Sequence, residues 1–290
     1  MMKRYAFPAI LMVALTFAIS CNKENRYKGP STLPTEKVSR IYRTSRQLIE
    51  TYNSITDTWK TNRDVTGERV LHNEFFWEGD RLTRAHLYGA DYTFSYDDVG
   101  RIILATSESE EDVRYEYSYN DDGLLSHTLI HAYGIDEHTN YTWANGHLQK
   151  YESEWVPYGD ERGTIHRETC VFTWNGDILS STDRHIENAD GTSTVSRYDY
   201  EYTSIPNPFR NFVCSIPNDF GMIWRFDGID GLVNNMYSRI SNDVSNFSYE
   251  YTTSGGRIQT ISETQISENT VGPTTMRITS EVLYEIEYAD

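Results

Sequence analysis

The 290-residue chain carries 26 basic and 43 acidic side chains, a formal charge of −17, and 13% of its residues are aromatic, with 22 tyrosines among them. Such an aromatic load excludes an intrinsically disordered chain, and an acidic surface without clustered Lys and Arg excludes nucleic-acid phosphate as a partner. The length suffices for one large β domain or two ordinary ones.

At the amino terminus, Lys3 and Arg4 precede an almost unbroken apolar run, Ala6 to Phe17, and Ala18-Ile19-Ser20 lead to Cys21. This order predicts a secretory signal over residues 1–20. The run is shorter than the roughly 20 residues of a spanning helix. Ending on a cysteine, it resembles the bacterial lipoprotein signal, although Ala18 stands where that signal usually has leucine. The resemblance implies that Cys21 is acylated and that lipid holds the mature chain, each buried methylene adding roughly 0.8 kcal/mol. Residues 21–37, with Gly29, Pro30, Pro34 and no apolar period, read as the lipidated cysteine and a flexible tether. Asn22-Lys23-Glu24 resembles the signals that route Bacteroidetes lipoproteins to the cell surface. The expected location is therefore the outer membrane, lipid-anchored and surface-exposed, with the membrane as partner through the anchor.

From Val38 onward the chain is built of repeats. Trp77-Glu78-Gly79-Asp80-Arg81-Leu82 aligns without gaps to Trp143-Ala144-Asn145-Gly146-His147-Leu148 and to Trp174-Asn175-Gly176-Asp177-Ile178-Leu179. Sister patterns run from Tyr96 to Ile102, from Tyr119 to Leu125 and from Tyr251 to Ile258. In each, an aromatic closes a strand, a Gly/Asn/Asp cluster turns the chain, and an aliphatic opens the next strand. The strands alternate with period two: Tyr92, Phe94 and Tyr96 share one face, as do Tyr115, Tyr117 and Tyr119, Tyr198, Tyr200 and Tyr202, and Phe247, Tyr249 and Tyr251. Val282, Tyr284, Ile286 and Tyr288 repeat the pattern against Glu285 and Glu287.

These patterns predict an all-β fold: an antiparallel meander of hairpin repeats forming a soluble barrel or strongly curled sheet. Residues 38–290 read as a single β domain, interrupted at 204–243 by a Pro/Gly-rich excursion with a short helix expected around Gly231 to Tyr237. Long insertions of this kind are common places for binding functions, and a lid over the end of the sheet is the plainer reading.

The segment Tyr92 to Ile102 resembles the tyrosine-aspartate repeats of Rhs-type β shells. Tyr198-x-Tyr200-x-Tyr202 followed by Ile205-Pro206-Asn207-Pro208-Phe209 resembles a family of Bacteroidetes lipoproteins that carry a domain of unknown function and porin-like fold. That likeness covers about Val38 to Asp290. It implies the fold and the compartment and carries no catalytic residues. The faces themselves do not suit a membrane-embedded barrel, because a lipid-facing band needs roughly 25 Å of apolar surface, whereas here one face is tyrosine-rich and the other acidic.

Enzyme signatures are missing: there is no phosphate loop, Cys-x-x-Cys, His-Glu-x-x-His or Gly-x-Ser-x-Gly. The expectation is a protein that is not an enzyme, with no catalytic residues, metal or cofactor. His127 and His131, evenly spaced on a strand, share a face that a metal would accept or that water simply solvates. Asp97-Asp98 and Asp121-Asp122 fall in turns, where Asp caps its own backbone. Cys170 and Cys214 suit either a disulfide or two buried hydrophobes. Trp77, Trp143 and Trp174 are expected in the core, while Trp155 and Trp224, in loops or the excursion, are the candidate ligand-binding residues, suited to stacking on sugars. The leading reading is a non-enzymatic binding or structural module for a glycan, peptide or partner protein. The alternative is a periplasm-facing carrier of an apolar or amphipathic ligand in the barrel lumen.

Overall fold

A computed structural model describes residues 37–289 apart from 88, 111, 133, 157–164, 189, 208–232 and 243–244. Cys21, Cys214 and Trp224 lie outside the described residues. The described chain is strand and turn throughout, with no helix among its residues. In chain order the strands are β1 (Val38–Asn53), β2 (Thr58–Thr66), β3 (Val70–Glu78), β4 (Arg81–Leu87), β5 (Ala90–Tyr96), β6 (Ile102–Ser107), β7 (Arg114–Tyr119), β8 (Leu125–Ala132) and β9 (Ile135–Ala144). They continue as β10 (His147–Trp155), β11 (His166–Asn175), β12 (Ile178–Glu187), β13 (Ser193–Pro206), β14 (Asn235–Ser241), β15 (Asn246–Ser254), β16 (Arg257–Val271) and β17 (Thr274–Tyr288).

Every strand pairs antiparallel with its sequence neighbour, except at one break, and β17 returns to pair with β1 from Val38↔Tyr288 to Asn53↔Thr274. The other edge of β1 is shared: β2 covers it from Arg46↔Thr66 to Asn53↔Thr58, and β3 from Arg40↔Glu74 to Arg43↔Val70. β2 and β3 are thus two pieces of one wall strand, and the 17 strands close as a 16-strand barrel. At the break, the Gly67 N–H donates to the Ser45 carbonyl at 2.7 Å. A Cβ on Gly67 would stand 3.2 Å from the Ser45 hydroxyl, so glycine permits this close approach. Closure removes the unpaired edges that an open meander would expose.

The predicted alternation separates inside from outside. Tyr92, Tyr115, Tyr117, Tyr141, Tyr151, Tyr200, Tyr249 and Tyr284 are buried in one continuous hydrophobic core with Phe172, Ile240, Ile261 and Ile286. Burying such a side chain contributes about 1.5–3 kcal/mol over leaving it in water. The opposite face carries ion pairs: Arg84 with Asp91, Arg114 with Glu116, Arg167 with Glu154, Arg197 with Asp199 and Arg277 with Glu268. Each is worth about 0–1 kcal/mol at such exposure. Together they make a wall suited to water, since charge on a hydrocarbon-facing strand costs about 2–4 kcal/mol at mid-depth.

The repeat turns gather at one end, the base. The Asn145-Gly146 turn has both residues at positive φ, 53° and 78°, which a two-residue hairpin of this hand requires. Eight aromatic residues at the base ends of the down-running strands donate to carbonyls at the base of the up-running strands. Trp77, Trp143 and Trp174 reach Val38, Leu125 and Leu148 at 2.7–2.8 Å. Tyr96, Tyr119, Tyr202, Tyr251 and Tyr288 reach Leu82, Ile102, Leu179, Tyr237 and Ile258 at 2.6–2.9 Å. The three repeat tryptophans are half-buried and packed on the core, as expected of them. Burial raises the Tyr96 phenol to about 12, against the milder pull of its hydrogen bond to Leu82 and of Arg81, so it remains a donor at neutral pH.

The structure corrects two details of the chain organisation. β13 runs on to Pro206 and β14 begins at Asn235, so both described ends of the 204–243 interval belong to the wall. The helix expected around 231–237 is replaced at Asn235, Met236 and Tyr237 by strand, where Met236 and Tyr237 are buried in the core and Tyr237 pairs with Tyr202. Cys170 is buried beside Phe172 on the inner face of β11, as a small hydrophobe would be.

Candidate functional site

β1, β16 and β17 have 16, 15 and 15 residues, whereas β4 to β12 have 6 to 10, so β1, β2, β16 and β17 rise above the wall as a ribbon. The inner face of β1 changes character on the way up. Val38 and Ile41 are buried and apolar, but the next alternate positions are Arg43, Ser45 and Gln47. Register extends this polar row sideways. Ser45 stands opposite Val282, which stands opposite Glu263, and Gln47 stands opposite Val65 on one side and Ser280 on the other. Ser280 in turn pairs with Gln265, and Ile49 with Arg63.

These residues line a cavity of about 370 Å³ at the foot of the ribbon. Arg43 and Arg63 both open into it, and neither forms an ion pair with a described residue, unlike the arginines of the outer wall. Glu263, fully buried, contributes the one carboxylate of the inner row, while Gln47, Gln265 and Ser280 add neutral donors and acceptors. His72 stands beside Tyr284, with ring centroids 6.0 Å apart. Burial and then the Arg43 guanidinium lower its pKa to about 4, so at neutral pH it adds no charge. The guanidinium forks suit a planar oxyanion held by paired N–H donors.

Trp155 lies elsewhere. It ends strand β10, not a loop, halfway round the wall from β1, and pairs across the strands with His166, with ring centroids 5.8 Å apart. Below it on the same face, the Thr139 hydroxyl donates to Ser153 at 3.1 Å and the Ser153 hydroxyl to Glu137 at 2.7 Å. Glu168, buried, accepts two bonds from the Arg184 guanidinium at 2.6 and 2.7 Å and one from the Tyr151 hydroxyl. Trp155 therefore tops an inward polar network and is only half-buried itself. The structure does not bring it to the arginine pocket.

The remaining sequence candidates separate clearly. His127 and His131 do share the outer face of β8, but they have different partners: His131 meets Asp136, and His127 meets His138. The Asp97 turn behaves as read, its carboxylate accepting from the Val99 N–H at 3.1 Å and the Arg101 N–H at 2.8 Å. In the sister turn Asn120, and not Asp121 or Asp122, takes that place, accepting from the Leu124 N–H at 2.9 Å. Arg43 and Arg63 carry no motif. The available signal is the run of polar residues at alternate positions 43, 45 and 47 of a strand whose lower half is apolar on that face.

Fold and face together define a class: a closed antiparallel barrel with ion pairs on its outer face, whose inner aromatic face gives way to a polar mouth. No family model matches the sequence, and no curated protein does. Among solved structures, the chain is similar to a crystal structure of a porin-like protein from Bacteroides vulgatus, with a TM-score of 0.51 at 11% identity over 88% of this chain and 99% of that one. At that identity the likeness is one of fold.

Proposed function

We propose that this protein is a lipid-anchored protein of the outer membrane, displayed at the cell surface, whose barrel is a non-enzymatic binding module for an anionic ligand such as an acidic glycan. The observation that carries the reading is the cavity lined by Arg43 and Arg63, two guanidinium groups that form no ion pair with a described residue, beside the carboxylates of Glu263 and Glu281. The porin-like fold of a Bacteroides protein supports an envelope setting, and the ion-paired outer wall supports a barrel held beside the bilayer by the Cys21 lipid. Carriage of an apolar molecule in the lumen has less support, because the inward tyrosines are already buried.

Titration calorimetry of the lipidated chain in detergent, with uronic-acid-bearing oligosaccharides set against neutral ones, tests the binding. Saturable binding of the acidic series, weakened by R43Q and R63Q, is the expected result. Equal response to neutral sugars, or binding indifferent to both substitutions, removes the arginine pocket as the site; loss on W155A instead moves the site to Trp155. For the anchor, wild-type cells fed labelled palmitate should label the protein and C21A should not. External protease on intact cells should cut it if it faces outward.

A further inference from the structure

We propose that His127 and His138 form an open two-histidine site for a tetrahedral divalent metal ion, zinc by geometry, on the outer wall of the barrel. The pairing of β8 with β9 sets His127 opposite Asn140 and Leu129 opposite His138, so the two imidazoles lie diagonally across the strands on one face. The His127 Nε2 and His138 Nδ1 nitrogens face each other at 3.4 Å, with ring centroids 5.5 Å apart and ring planes 38° apart.

That separation is long for a hydrogen bond between two rings, whose usual heavy-atom distance is about 2.9–3.0 Å. Two nitrogens each about 2.0–2.1 Å from one ion and at the tetrahedral angle stand about 3.3–3.4 Å apart. The right angle of a square-planar copper site would bring them to about 2.9 Å, so the spacing fits a tetrahedral ion such as zinc. With His127 protonated on Nδ1 and His138 on Nε2, the two facing nitrogens both carry lone pairs, the tautomers a bound ion selects.

The groups facing the pair are Glu116 on β7, bridged to Arg114 at 3.0 Å, Glu154 on β10, which stands opposite His138 and is bridged to Arg167 at 2.7 Å, and the His131–Asp136 pair further along the same strands. Among the described residues no group of three or more His, Cys, Asp or Glu is arranged as metal ligands. The remaining coordination positions therefore belong to water, with the Glu116 carboxylate as an outer hydrogen-bond acceptor for it. Such a site exchanges its metal readily and leaves positions for a carboxylate or imidazole from outside.

The test is competition between the full chain, in detergent, and a chromogenic chelator for zinc, with cobalt absorption as a second readout. Wild type should take one equivalent, H127A and H138A should each bind at least about tenfold more weakly, and H131A should match wild type. Cobalt should give the intense visible bands of tetrahedral coordination, lost in either variant. Circular dichroism identical to wild type excludes unfolding as the cause of a loss. Zinc affinity unchanged in H138A, affinity lost in H131A, or the weak bands of octahedral cobalt would each overturn the assignment.

Discussion

The Trp143 indole N–H donates to the carbonyl of Leu125 at 2.7 Å, tying the lower end of β9 to the lower end of β8. The two residues begin and end one up-and-down hairpin, so this bond closes the hairpin opposite to its own loop. Seven analogous bonds around the base, five from tyrosine and two from tryptophan, do the same for the others. Replacing Trp143 by Phe keeps an aromatic ring and leaves the Leu125 carbonyl half-buried without its donor. The expected loss is about 1–2 kcal/mol, read in urea denaturation as a lower midpoint at unchanged slope. A midpoint equal to that of wild type removes the bond from the account of stability.

The Asp97 turn offers a matched pair of neighbours. The Asp97 carboxylate accepts two backbone N–H bonds and one from the Arg101 guanidinium at 2.6 Å, and Arg101 holds its pKa low although burial pushes the other way. D97A is expected to cost about 1–3 kcal/mol. D98A, altering a residue outside these bonds, should stay within about 0.5 kcal/mol of wild type. Equal effects would mean that composition, not capping, shapes the turn.

Glu168 and Arg184 form an ion pair on the inner face, with the Glu168 carboxylate buried. R184M strands a buried carboxylate and is expected to cost about 3 kcal/mol. Adding E168Q to R184M should return most of that stability, because the stranded charge and not the missing bond dominates the penalty. Thermal denaturation of the two single variants and the double decides the point, and a double variant as unstable as the sum of the singles refutes it.

His72 ties stability to pH. It is neutral in the folded barrel down to about pH 4, whereas the ordinary value for the free ring is 6.5. Unfolding therefore takes up a proton between these values. The contribution is fully present above pH 6.5 and is lost as pH falls toward 4, by about 1–2 kcal/mol after allowance for partial exposure. H72Q should flatten the stability curve in that window, measured by denaturant midpoints at stepped pH. A curve of unchanged slope assigns the effect to other groups.

Much of this protein is legible in the order of its residues. Period-two alternation, as at Tyr115, Tyr117 and Tyr119, decides which side of each strand is buried, because strand geometry sends successive side chains to opposite faces. The aromatic-turn-aliphatic repeat decides where the chain reverses, since Gly, Asn and Asp alone supply the backbone angles a tight turn needs. Those local rules sufficed for an all-β meander, for the core place of Trp77, Trp143 and Trp174, and for the carboxylate of Asp97 folding onto its own turn.

What local rules leave open is register and closure, and these depend on contacts between residues far apart in the chain. Whether the sheet curls or closes is settled by β17 meeting β1, a pairing of residues some 250 positions apart such as Val38 and Tyr288. The same closure sets Arg43 of β1 and Arg63 of β2 beside Glu263 and Gln265 of β16, so the pocket exists only once the ring is complete. The exchange of His131 for His138 as the companion of His127 comes from register and not from closure, since β8 and β9 form one hairpin. Even spacing puts His131 on the correct face, but 3.4 Å proximity is a property of the neighbouring strand. Period and turn chemistry act over a few residues and can be read in line, whereas a site assembled across strands waits on the fold.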